Sequence, residues 1–197
     1  MDTDSADNNK QRTLFKMKDL FGKRLPDSQA SAVAHFADLL FTYAPEDEVA
    51  QRPIEGLYGS TLACWSFIEQ FDGVNAKVQV FNPDLEQHGW HSNHTVIQLM
   101  MKDCPFIVDS VRMSLNRLGV GIRVVQNVVL YTERDDGTLV NTSGQEGKGE
   151  AESLIYLEVD RHTEADLLKR MREELIITLR AVDVSVRDFH AMKERIS

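Results

Sequence analysis

The most regular alternation of hydrophobic and polar positions lies between His94 and Leu139. Thr95–Met101 is an uncharged run carrying Val96, Ile97, Leu99, Met100 and Met101, the pattern of a buried strand. Asp103-Cys104-Pro105 interrupts it and predicts a helix start. Proline fits the first helical position, where its missing N–H leaves nothing unpaired, and a preceding carboxylate suits the free amides there. Ile107, Val111, Leu115 and Leu118 then recur at helical spacing. Gly119 stands just past them, where a left-handed stop is least costly for glycine. Ile122, Val124, Val128 and Leu130 follow along a second strand, which Asp135-Asp136-Gly137 turns.

The flanking patterns extend this unit. Residues 1–26 are expected to be a disordered or weakly ordered tail, residues 1–12 polar and disordered, with the apolar cluster Leu14, Phe15, Met17, Leu20 and Phe21 before Gly22 offering a docking helix. Pro26-Asp27-Ser28 signals a helix whose face is Val33, Phe36, Leu40 and Tyr43, ending before Pro45. Glu46, Asp47 and Glu48 fit the first turn of a short helix, and a third runs from about Pro53 to Phe71 through Leu57, Leu62, Trp65 and Ile68, closed by Gly73. Residues 27–75 are therefore expected to be a helical subdomain. Lys77–Phe81 alternates as a strand, stopped by Asn82-Pro83-Asp84. Asn141–Ala151 reads as a polar, glycine-rich loop and Ser153–Val159 as a third strand. Thr163 caps a long helix through Leu168, Met171, Leu175, Leu179, Val182, Val186 and Phe189. Over residues 76–197 the order is βαββα, an α+β, ferredoxin-like sandwich. The stripe after Leu175 favours a continuing helix over a further strand, which leaves the edge beside the first strand to Lys77–Phe81.

Composition narrows the function. The chain has 197 residues, 42% hydrophobic, which suffices for a core, and a net charge of −9. An acidic surface disfavours nucleic acid and anionic membrane, and no apolar run approaches the length of a membrane helix. The acidic, polar start MDTDSADNNK is no secretion signal. Cys64 and Cys104 make no disulfide framework, so a reduced, cytoplasmic protein is expected.

Candidate chemistry is sparse. No strand is followed by Gly-x-Gly-x-x-Gly, so no dinucleotide cradle and no cofactor site is expected in these residues. Gly144, Gly147 and Gly149 around Lys148 lack phosphate-loop spacing and join two strands. His88, His91 and His94 flank Trp90 without a cysteine or acidic partner at ligand spacing, so loop packing is favoured over a metal. Cys104 is the best nucleophile candidate, because a helix N-terminus stabilises a thiolate, yet no adjacent base supports it. Cys64, beside Trp65, reads as packing. The charges of Asp183, Asp188 and Glu194 with Arg180, Arg187 and Arg195 read as a solvated helix face.

The segment KDCPFIVDSVRMSLNRLGVGIRVV resembles the first half of an ACT domain, whose loop reads Asp-x-Pro-Gly before a helix ending in Leu-x-x-x-Gly. More closely, FNPDLEQHGWHSNHTVIQL, CPFIVDS and AVDVSVRDFHAM resemble the N-terminal region of the large bacterial NAD-dependent glutamate dehydrogenases. The resemblance implies an ACT-like sandwich after an N-terminal helical subdomain. It implies a regulatory or assembly region, itself non-catalytic, of an enzyme that converts L-glutamate and NAD to 2-oxoglutarate, ammonium and NADH. NAD and the catalytic residues would then lie in the parent enzyme outside this chain. Expected partners are the rest of that enzyme and other subunits in a homo-oligomer. ACT domains bind amino-acid effectors at the strand-to-helix loop, here Asp103, Cys104, Pro105 and Phe106 with Asp109 and Ser110. Phe106 departs from the pattern, standing where the family carries the glycine that leaves room for a ligand. Two alternatives remain: a stand-alone ACT-type amino-acid sensor, and a small cysteine- or metal-dependent enzyme.

Overall fold

The computed structural model describes residues 3–147 and 149–196, with side chains described for 9–147 and 149–188; Lys148 and the side chains of Phe189, Glu194 and Arg195 lie outside them. The chain divides into two compact units, residues 1–69 with 83–92, and residues 70–82 with 93–197. The division falls earlier than the expected boundary at 75/76, and residues 83–92 go with the helices.

The first unit holds α1 (Thr3–Arg24), α2 (Asp27–Phe41), α3 (Glu46–Gln51), α4 (Ile54–Ile68) and the single-turn α5 (Leu85–His88). Three of these helices start directly after a proline. Pro26, Pro45 and Pro53 sit in extended conformations, and their carbonyls accept the first helical bonds from Ala30, Val49 and Leu57. Carboxylates fill each first turn, where the helix dipole favours them. The expected weakly ordered tail is instead α1, which takes in the docking helix offered at Leu14–Phe21 and extends it back to Thr3. Met17 and Phe21 lie four residues apart on one face and are both fully buried, which is what holds the polar sequence helical. Phe21 stacks on Tyr58 at 5.2 Å, and Thr61 Oγ1 donates to Met17 Sδ. Helix α4 stops at Ile68, short of Phe71 and Gly73, and its buried side runs through Leu57, Thr61, Cys64 and Phe67. Tyr43, expected on the buried face of α2, falls beyond its end and is exposed. Gly59 makes room for Trp90: a Cβ there would meet Trp90 Cγ at 2.3 Å.

The second unit is a five-stranded antiparallel sheet in the order β1 (Lys77–Phe81), β2 (Thr95–Lys102), β5 (Glu150–Val159), β3 (Ile122–Asp135), β4 (Thr138–Ser143). Two helices, α6 (Ile107–Arg117) and α7 (Ala165–Ile196), complete it. Strands β2 and β3 flank β5, which is the split arrangement of a ferredoxin-like fold. The edge beside β2 is held by β1, with Val78 opposite Leu99, and α7 stays helical through Ile196. Strand β4 was not foreseen. The expected long loop contracts to residues 144–149, because β3 and β4 form a tight hairpin through Asp136 and Gly137, both at positive φ.

One face of the sheet meets both helices. Val78, Ile97, Leu99, Ile155, Leu157 and Val159 form a single buried cluster with Ile107, Val111 and Leu115 of α6 and Met171, Leu175 and Leu179 of α7. Burying each of these aliphatic side chains stabilises the fold by roughly 1.5–3 kcal/mol. Helix α6 ends as expected at Gly119, φ 71°: Val120 N–H donates to Leu115 O and Gly119 N–H to Asn116 O, the two bonds of a Schellman cap. The other face is mixed: buried Val96, Met100, Leu154, Val128 and Leu130 share it with a row of polar side chains. Gln98, Tyr156 and Gln126 stand opposite one another across β2, β5 and β3. Tyr156 donates to Glu158 Oε1 at 2.8 Å, and His94 Nδ1 lies 2.9 Å from Glu158 Oε2, so this carboxylate has partners on both oxygens.

Candidate functional site

The loop between β2 and α6 is built by competition between the strand that precedes it and the helix that follows. Asp103 still belongs to the sheet: its N–H donates to Ala151 O at 2.8 Å, and its Oδ1 accepts from Ser153 Oγ at 2.5 Å. The carboxylate expected to face the helix amides is thus tied to β5. Pro105 lies in a turn rather than at the first helical position, because Phe106 takes a left-handed conformation (φ 70°, ψ 6°) and the helix begins at Ile107. Phe106 occupies the backbone state that glycine adopts freely, and its ring points outward, 72% exposed. It offers no side-chain cap, and its carbonyl accepts from Ser110 N–H at 3.0 Å. Asp109 is exposed in the first turn of α6 and Ser110 is half-buried.

Cys104 is half-buried at the margin of the helix-facing core. Burial, with the carboxylates of Asp103 and Asp183, pushes its thiol up from the usual value. This corrects the expectation of a stabilised thiolate: two residues of turn separate Cys104 from the helix, and the charges facing it are negative. Cys64 is fully buried. The histidines have separate neighbours. His88 Nδ1 lies 3.3 Å from both the backbone N and Oδ2 of Asp84, His91 is exposed, and His94 faces Glu158. Among the described residues no group of three or more His, Cys, Asp or Glu is placed to hold a metal ion. No helix among them is long and apolar enough to cross a membrane.

A groove of about 480 Å³ takes Met101 and Lys102 from the end of β2, Gly73–Ala76 from the segment before β1, and Leu179, Arg180, Asp183, Val184 and Arg187 from α7. None of the six loop residues named above lines it. The Gly73–Ala76 wall is pinned by Asp72, whose Oδ1 accepts from Val74 N–H at 2.8 Å and Asn75 N–H at 2.9 Å. The Asn75 side-chain amide on Oδ2, together with these backbone bonds, holds the Asp72 carboxyl below its usual range. Sequence reasoning took Arg180, Asp183 and Arg187 for a solvated face. A spacing of seven residues puts both arginines on one side of α7, but nothing local marks that side as facing the end of β2.

The chain is 40% identical over 184 residues to the NAD-specific glutamate dehydrogenase of Halomonas elongata and 39% identical over 184 residues to that of Pseudomonas aeruginosa. Both alignments cover 91% of this chain and 11% of the relative, so the chain spans only a small part of the length of these curated relatives. No solved structure matches it. A family model described as the ACT1 domain of glutamate dehydrogenase matches residues 36–175, through the last three helices of the first unit, the whole sheet and the first turns of α7, and the chain belongs to that family.

Proposed function

We propose that this chain is a non-catalytic regulatory and assembly module of an NAD-dependent glutamate dehydrogenase. The parent enzyme would oxidise L-glutamate with NAD to 2-oxoglutarate, ammonium and NADH, in the cytoplasm, using residues and an NAD site outside this chain. The observation that carries the reading is the family match over residues 36–175, in a chain spanning 11% of relatives named for that activity. The chemistry of the loop supports it. The nucleophile candidate Cys104 has a raised thiol pKa, and Asp103 is held by the sheet. Other subunits and the rest of the parent chain are the expected partners.

The test is direct. The purified chain, given L-glutamate and NAD, should produce no NADH absorbance; measurable turnover would overturn the assignment. Effector sensing at Asp103–Ser110 is tested by calorimetric titration with amino acids. Sub-millimolar binding that is lost in Asp103→Ala supports a sensing loop, and silence across the set leaves assembly as its role.

A further inference from the structure

The groove between the end of β2 and α7 concentrates positive charge in an acidic protein. Lys102, Arg180 and Arg187 line it against a single carboxylate, Asp183, in a chain of net charge −9. Arg187 and Asp183 pair at 2.5 Å and neutralise each other. Lys102 lies 3.8 Å from Glu150, both side chains well exposed, an arrangement that holds little attraction in water. Arg180 forms no ion pair among the described residues. Two cations therefore face the groove with their charge largely uncompensated. Between them lies apolar surface: Val74 and Val184 are well exposed, above the buried Leu179 and Met101. The far wall, Gly73–Ala76, is held in place by the Asp72 turn. A volume of about 480 Å³ falls within the range of small-ligand pockets.

From this arrangement we infer that the groove binds a small organic dianion, one acidic group held by Arg180 and the other by Lys102, with a short carbon stem on Val74 and Val184. The guanidinium fork suits a carboxylate or a phosphate group, and the lysine supplies a point charge from the opposite strand. The site lies outside the Asp103–Ser110 loop, so the inference stands whether or not that loop senses an effector.

Isothermal calorimetry on the full 197-residue chain tests it with three probes: succinate, glycerol 3-phosphate and the monoanion butyrate. Succinate or glycerol 3-phosphate should bind at sub-millimolar concentration, and the tighter of the two identifies the acidic group as carboxylate or phosphate. Butyrate should bind at least about tenfold more weakly, the cost of losing one charged contact. Arg180→Gln and Lys102→Gln should each weaken the dianion by at least about tenfold. Both replace exposed side chains and should leave the circular dichroism unchanged. Arg117→Gln, an exposed cation on α6, should leave the affinity as it was. No heat with either dianion, or equal affinity in Arg180→Gln, would overturn the site. Inorganic sulfate binding as tightly as succinate would overturn the role of the apolar surface. The readout needs neither glutamate nor NAD, so its failure and that of the proposed function are separable.

Discussion

Arg134 of β3 grips Glu152 of β5 with two nitrogens, Nε at 2.9 Å from Oε1 and Nη2 at 2.8 Å from Oε2. Its Nη1 donates to Gly137 O in the adjacent turn, and the guanidinium lies 5.4 Å from the centre of the Phe71 ring. The side chains are 11% and 3% exposed. Removing one partner leaves the other charge buried without compensation, so Glu152→Ala should lower unfolding free energy by about 3–5 kcal/mol in urea titration. Arg134→Lys should recover little of the contact, because one ammonium cannot reproduce the fork. A loss under about 1 kcal/mol in Glu152→Ala would show that this pair is not a clamp on the hairpin.

Gly59 and Trp90 define a second constraint. The Cβ of an alanine at position 59 would lie 2.4 Å from Trp90 Cβ and 2.3 Å from Cγ, atoms too near the backbone to swing aside. Gly59→Ala, ordinarily stabilising inside a helix, should instead cost about 1–3 kcal/mol. Thermal unfolding of the variant checks this, and a raised Tm would refute the contact.

Phe106 offers the opposite case. Its left-handed backbone stores strain, and its exposed ring gives little packing in return. Phe106→Gly should raise stability by about 0.5–1 kcal/mol, the relief of strain exceeding the added freedom of the unfolded chain. Unchanged or lower stability would mean that the ring packs in a way its exposure conceals.

The Cys104 thiol has a raised pKa, so at a given pH less of it is thiolate than in a free cysteine. Alkylation by iodoacetamide at pH 7 should be slower than for a cysteine peptide, Cys64 being shielded by burial. Asp183→Asn removes one of the charges that oppose ionisation and should quicken the reaction. The sign also sets a stability trend. The stabilisation from keeping this thiol neutral is complete below the unfolded value and fades as pH rises through the folded one. Labelling faster than the free peptide would contradict both statements.

How much of this was legible in the sequence varies with how local the cause is. The strand from Thr95, the stripe Ile107–Leu118 and the stop at Gly119 all followed from periodicity and one residue's conformational preference. The β1 edge followed from its alternation together with the helical stripe of α7. Strand β4 escaped because Thr138–Ser143 is polar and half-exposed, and pairing with β3 rather than burial makes it a strand. The sequence offered α1 only as a docking helix at Leu14–Phe21, because among its described side chains Met17 and Phe21 alone are buried in a polar sequence. The turn before α6 was misread because Phe106 adopts a conformation its side chain disfavours. The groove was invisible for a different reason: its cations come from segments nearly eighty positions apart, and only the packed sheet brings them together.

The position of β1 has a consequence for how the second unit is made. In the usual ferredoxin-like order the sheet waits for a strand that follows the last helix. Here β1 already holds that edge, and among the described residues every strand of the sheet precedes α7. A nascent chain can settle its backbone pairing first and then lay one long helix over Ile97, Leu99, Ile155 and Leu157, so that vectorial synthesis and hierarchical assembly run in the same direction.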